Sequence, residues 1–149
     1  LAEAASPHRL FVATAEALDA EMTDRIKRHQ ADRGEGWRTI EAPLDLVSVI
    51  QGEINPGESV LIDCLTLWLS NLFHHNRDIE QETMALCNAL QSSQVQIALV
   101  SNEIGLGLVP ETSLGRAFRD AQGRLNQKVA AGCDQVDFVA AGLPLRLKG

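Results

Sequence analysis

The sequence predicts an α/β fold, a mostly parallel sheet with flanking helices, and three observations carry that prediction. Short β-branched apolar runs alternate with longer stretches of helical period, the order produced by strands joined through crossover helices. Pro43, Pro56, Pro110 and Pro144 fall between these stretches rather than inside them. The 149 residues, 45% hydrophobic and 22% charged, suit one sizeable core and exclude a disordered tail or a coiled coil. A single domain over 1–149 is the expectation.

The strands come first. Residues 10–14, 59–63, 95–101 and 136–140 are short, rich in Val, Ile, Leu and Phe, and bounded by polar residues or Gly. A further short strand is allowed at 37–41, after the Gly34-Glu35-Gly36 break. Helices are predicted at 21–33, 44–53, 66–73, 78–91 and 113–131; the last is clearest, because Leu114, Phe118, Ala121, Leu125 and Val129 step by three or four. Asn55-Pro56-Gly57-Glu58 is a turn. Pro43, Pro56, Pro110 and Pro144 all fall at predicted element edges, so no linker divides the chain.

A net charge of -7 opposes non-specific attraction to nucleic acid or anionic lipid and leaves a small anionic ligand open. Cys64, Cys87 and Cys133 are far apart and form no disulfide or zinc spacing, which fits a reducing cytoplasm. No apolar run reaches the ~18 residues of a membrane span, and no signal-peptide pattern opens the chain.

Chemistry-bearing residues cluster at a few places. Arg25, His29 and Arg33 are four apart, which stacks them along one side of a helix. Two guanidinium forks flanking an imidazole would cradle a polyphosphate and offer a nucleophile; on spacing alone the favoured reading is a solvated face with Glu21 pairing to Arg25. Asp63 ends an apolar strand where open α/β sheets place their ligands, and an acid there can hold Mg²⁺, directly or through water; it also stands where a helix N-cap would. The Ser101–Glu111 stretch has two glycines but lacks the third of the dinucleotide fingerprint and carries Glu103 where phosphate would approach, so a substrate-shaping loop is expected. Adjacent His74 and His75 lack a carboxylate at ligand spacing. The Leu65, Trp68, Leu69, Leu72, Phe73 stripe is core or a subunit contact, with core the default.

Several segments together carry a resemblance. They are Phe11-Val12-Ala13-Thr14-Ala15; Asp19, Glu21-Met22, Arg25-Ile26, His29 and Arg33; Trp37-Arg38-Thr39 with Glu41; Leu61-Ile62-Asp63-Cys64-Leu65-Thr66; Ser101-Asn102-Glu103-Ile104-Gly105 with Gly107 and Val109-Pro110; the helix from Gly115-Arg116 to Asn126-Gln127; and Gly142-Leu143-Pro144-Leu145. In order and spacing the chain resembles the bifunctional adenosylcobinamide kinase/adenosylcobinamide-phosphate guanylyltransferase family of cobalamin biosynthesis. The resemblance implies a P-loop NTPase fold of RecA-like type. That family opens with a strand and a Gly-rich loop containing Gly-Lys-Ser, and no Gly-Lys-Ser/Thr occurs here. Leu1 to Ala5 resemble the end of the helix that follows such a loop, so roughly 20 residues, the first strand and P-loop, are expected upstream.

The resemblance further implies phosphorylation of adenosylcobinamide with ATP or GTP, then GMP transfer from GTP to adenosylcobinamide phosphate. His29 matches the guanylylated histidine, and Ala13, Thr14, Ala15, Arg25, Gln30, Ala31, Asp32, Arg33, Glu41 and Asp63 are the expected nucleotide-binding positions. The chemistry is compatible: imidazole with a reference pKa of about 6.5 is a usable nucleophile at neutral pH, and Arg25 and Arg33 oppose its protonation. GTP, ATP and Mg²⁺ are the implied cofactors, a corrinoid the implied partner, and a homo-oligomer, a trimer, the implied assembly. Two other readings stand beside it: another P-loop kinase or ATPase with a structural His29, and a non-catalytic nucleotide- or corrinoid-binding module.

Overall fold

The computed structural model describes residues 7–16 and 36–149. Its internal contacts form two compact units, 1–102 and 103–149. The first holds strands β1 (Arg9–Ala13), β2 (Trp37–Glu41), β3 (Ser59–Asp63) and β4 (Ile97–Val100), with helices α1 (Leu46–Gly52), α2 (Leu65–His74) and α3 (Ile79–Ser92). The second holds α4 (Ser113–Gly132), β5 (Val136–Ala140) and β6 (Leu143–Lys148).

In the first unit the four strands form one all-parallel sheet in the order β2-β1-β3-β4. The central strands β1 and β3 are buried on both faces, with Leu10, Val12, Val60 and Ile62 wholly covered, which is why they read as continuous apolar runs rather than alternating ones. Edge strand β2 is half-exposed and is fixed by side chains instead. Trp37 meets Phe11 edge-to-face at 6.3 Å, and the Arg9 guanidinium lies 5.7 Å from the Trp37 ring centre. Arg38 donates to both Glu58 carboxylate oxygens, at 3.1 and 2.8 Å, and to the Glu53 carbonyl. That pair ties β2 to the turn before β3, where Glu58 N–H donates to Asn55 O and Gly57 takes φ 83°, as a Pro-Gly turn requires. The connection from β3 to β4 runs through both α2 and α3, and α1 and α2 pack on α3.

The helix ends show their sequence causes. Asp78 caps α3 by accepting from Glu80 N and Gln81 N, and Thr112 caps α4 by accepting from Gly115 N. No helix among the described residues is long and apolar enough to cross a membrane.

Three expectations need correction. The 136–140 run forms a strand, but it pairs antiparallel with β6 rather than joining the parallel sheet. The reason is the two-residue connection: Ala141 (φ 52°) and Gly142 (φ 76°) both take positive φ, the backbone of a primed hairpin turn. Pro144 therefore lies inside β6 and not at an element edge, a position tolerated because β6 belongs to a two-stranded sheet whose strands are both edges. The 95–101 strand shortens to Ile97–Val100. The predicted helix at 21–33 lies outside the described residues.

Candidate functional site

The register of the parallel sheet assembles the site. Glu41 stands opposite Ala13, Ala13 opposite Asp63, and Asp63 opposite Val100, so the last residues of the four strands form one row at the carboxyl rim. In-register neighbours of a parallel sheet present their side chains to the same face, and strands lie about 4.8 Å apart, so Glu41 and Asp63 flank Ala13 with roughly 10 Å between their backbones. The row thus sets a small side chain between two carboxylates at the carboxyl rim, the end at which open α/β sheets bind ligands. The row is negative, so a phosphate approaching it needs a cation or arginines beside it.

Helix α2 holds the loops that leave this rim. Thr66 Oγ1 accepts from Asn102 N at 2.9 Å, just after β4. Trp68 Nε1 donates to Leu44 O at 2.8 Å, after β2. Asn71, buried, donates from Nδ2 to Thr14 O at 2.7 Å and Pro43 O at 2.9 Å, joining the exits of β1 and β2. His75, at the helix end, sits 3.0 Å from the Glu16 carboxylate. Meanwhile Leu65, Trp68, Leu69 and Leu72 are almost wholly buried, so the apolar side of α2 fixes the helix and its polar side chains fix the loops.

Thr14 closes the row from beneath. Its hydroxyl donates to Cys64 O at 2.8 Å and accepts from Cys64 N at 2.7 Å, and its own amide donates to Asp63 O at 3.1 Å. The side chain is completely buried. Of the nucleotide-binding positions expected from the sequence, Ala13, Thr14, Ala15, Glu41 and Asp63 thus share the rim, with the Thr14 hydroxyl already saturated by backbone. Arg25, His29, Gln30, Ala31, Asp32 and Arg33 lie outside the described residues.

Asp63 does not cap α2. The N-cap is Cys64, without a side-chain cap bond, and the half-buried Asp63 carboxylate makes no hydrogen bond or ion pair with the described residues. Its oxygens remain available to a ligand, which suits a hard cation. No group of three His, Cys, Asp or Glu side chains converges among the described residues, so an ion held here would keep much of its water. Within this chain Leu65, Trp68, Leu69 and Leu72 of the stripe are core, with the Trp68 indole N–H spent on Leu44, while Phe73 is half-buried. In the 101–111 loop, Glu103 accepts from Gly105 N at 2.7 Å, so this amide already has its anion.

The structural role of Asn71 and Thr66 went unread in the sequence. The available signal was a lone Asn inside the bulky run Leu67 to Phe73, since a buried amide must find partners. Trp37 and Arg38, part of the resemblance, turn out to hold an edge strand.

Against known families, residues 1–147 match the model described as cobinamide kinase / cobinamide phosphate guanyltransferase. The chain belongs to this family. It is 45% identical over 141 residues to the bifunctional adenosylcobalamin biosynthesis protein CobP of Pseudomonas aeruginosa, covering 93% of this chain and 82% of that one. It is 38% identical to the protein CobU of the same description from Escherichia coli, covering 93% and 85% of the two chains, and 35% identical to that of Salmonella typhimurium, covering 96% and 87%. Within that match, the carboxyl-rim row brings the Glu41 and Asp63 side chains together, neither with a hydrogen bond or ion pair among the described residues.

Proposed function

We propose that this chain phosphorylates cobinamide with ATP or GTP and then transfers GMP from GTP to cobinamide phosphate through a guanylyl-histidine at His29. The observation that supports it most is the Glu41, Ala13, Asp63 row, an acidic row at the carboxyl rim of a parallel sheet in a member of the cobinamide kinase family. Asp63 would hold Mg²⁺, which when bound neutralises phosphate charge. Glu41, exposed at the end of the edge strand, would accept from ribose or base donors. Ala13 supplies a floor low enough for a phosphate or sugar to approach the backbone.

In the guanylyl step a neutral His29 nitrogen attacks the α-phosphorus of GTP. A P–N bond forms, the bond from that phosphorus to the bridging oxygen breaks, and pyrophosphate leaves. An oxygen of cobinamide phosphate then attacks the same phosphorus and breaks the P–N bond, returning neutral His29 and giving the GDP-linked corrinoid. Arg25 and Arg33 would draw charge from the phosphate oxygens and resist protonation of His29. The kinase step needs no covalent enzyme, because the substrate hydroxyl can attack the γ-phosphorus directly.

In the full-length protein, His29→Ala is therefore expected to abolish labelling by GTP carrying a radioactive α-phosphate and to stop guanylyl transfer, while phosphorylation of cobinamide continues. The wild-type label should be lost in acid and kept in alkali, as a phosphoramidate is. Wild-type labelling of the His29→Ala protein would sink the assignment.

A further inference from the structure

The second unit carries a cleft that the nucleotide chemistry does not use. It is open, about 370 Å³, and lies between α4 and the loop that precedes it, with Glu103, Arg119, Asp120, Arg124, Asn126 and Gln127 on its walls and Gly105 and Gly123 on its surface. The loop wall is anchored to the helix. Arg116 donates to Pro110 O at 3.0 Å and Glu111 O at 2.7 Å, and Arg119 to Leu108 O at 3.2 Å.

The glycines of α4 separate packing from function. At Gly115 a Cβ would meet Pro110 Cβ at 2.8 Å, so this residue is small because the loop presses on it. At Gly123 a Cβ would meet nothing within 4 Å among the described residues. A glycine inside a long helix costs about 1 kcal/mol relative to alanine. At Gly123 no neighbour in the described chain explains that cost, and the residue opens onto the cleft. A ligand that comes close to the helix backbone would.

The wall chemistry narrows the ligand. Two guanidinium groups offer donors, two carboxylates offer acceptors, and Asn126 and Gln127 are amides with both. Glu103 and Asp120 would repel a phosphate, and a purely apolar guest would strand the polar walls. A guest carrying several primary amides satisfies every wall, because each amide has one acceptor and two donors. The loop adds an apolar lip: Leu106 is 80% exposed, Leu108 96% and Val109 65%. Large side chains this bare on one loop suit a flat, methyl-bearing surface laid against them.

We infer that the cleft over Gly123 seats part of the corrinoid, taking amide arms of the ring edge between Arg119, Asp120, Arg124 and Gln127 while a ring face rests on Leu106 and Leu108. This rests on the cobinamide reading above and assigns the corrinoid to residues separate from the nucleotide rim. The side chains of Asp120, Arg124 and Gln127 make no hydrogen bond or ion pair with the described residues.

The test is equilibrium dialysis of cobinamide, without nucleotide, against the full-length wild type, Gly123→Leu, Gly123→Ala and Arg124→Ala. Leu and Ala are better helix formers than Gly, so both Gly123 variants should melt at or above the wild-type temperature. Filling the floor should nonetheless weaken cobinamide binding by about tenfold or more in Gly123→Leu and severalfold in Gly123→Ala and Arg124→Ala, the usual scale for a blocked or unpaired contact. Labelling by GTP should be unchanged in all three. Unaltered cobinamide binding in Gly123→Leu, or no binding by wild type, would overturn the cleft assignment while leaving the GTP result to judge His29 separately. Sedimentation runs in parallel: a Gly123→Leu protein that breaks apart into smaller species marks the cleft as a contact between copies and also overturns the inference.

Discussion

Helices α2 and α4 make opposite use of their polar side chains. Thr66, Trp68 and Asn71 of α2 turn theirs onto backbone groups of Asn102, Leu44, Pro43 and Thr14, so three strand exits are held by one helix. On α4, Arg116 and Arg119 hold the preceding loop, but Asp120, Arg124 and Gln127 in the following turns face an open cleft. The difference separates scaffold from site: where backbone has taken the hydrogen bonds, the residue positions something else, and where the groups are unspent, they remain for a ligand. The same distinction divides the rim itself, since the Thr14 hydroxyl is saturated and the Asp63 carboxylate has no partner among the described residues.

Breaking the scaffold at α2 should have the largest effect. Trp68→Ala removes a fully buried indole and strands the Leu44 carbonyl, so unfolding in denaturant should show a loss of about 4 kcal/mol. A loss below about 1 kcal/mol would mean that the site relaxes easily and that α2 is not the anchor described.

A smaller cut at the rim sharpens the contrast. Thr14→Val keeps the shape and deletes both bonds to Cys64, leaving a buried N–H and C=O without that partner, and should cost about 2 kcal/mol. Thr14→Ser keeps the hydroxyl and should recover most of it. Equal stability of the Val and Ser proteins in thermal and denaturant melts would show that the hydroxyl bonds are not what joins β1 to β3.

The Arg38 and Glu58 pair should give the smallest effect, and a pH-dependent one. The Arg38 hydrogen bond, aided by the Asn55 amide, holds the Glu58 carboxyl at about 2, below its usual 4.5. Because the folded value is the lower one, the pair's stabilisation is full above pH 4.5 and fades as pH falls toward 2. Arg38 is partly exposed, so solvent screening limits the gain to about 1 kcal/mol. Glu58→Gln should be less stable than wild type at neutral pH, with the two curves converging in acid; a constant gap across that range would contradict the ion-pair account.

Much of this was legible in the residues. Continuous apolar runs at β1 and β3 announced strands covered on both faces, Asn55-Pro56-Gly57 announced its turn, and the helical steps of Leu125 and Val129 matched the buried stripe of α4. The β5–β6 hairpin was not legible, because its turn uses Ala141 where Asn or Gly would have signalled positive φ, and Pro144 argued against a strand. The Trp68 stripe left core and interface open, since periodicity shows which residues seek cover but not what covers them.

By itself the sequence determined the element types, most of their bounds, the capping residues' neighbourhood and the family to which the chain belongs. Tertiary structure alone decided the strand order and register that bring Glu41, Ala13 and Asp63 into one row, and the use of the Thr14 hydroxyl on Cys64, 50 residues away. Propensity and periodicity act over a turn or a strand. Pairing between strands is settled by burial and backbone hydrogen bonds made across the chain, so the partners of a side chain such as Thr14, Asn71 or Asp63 become visible only once the sheet is assembled.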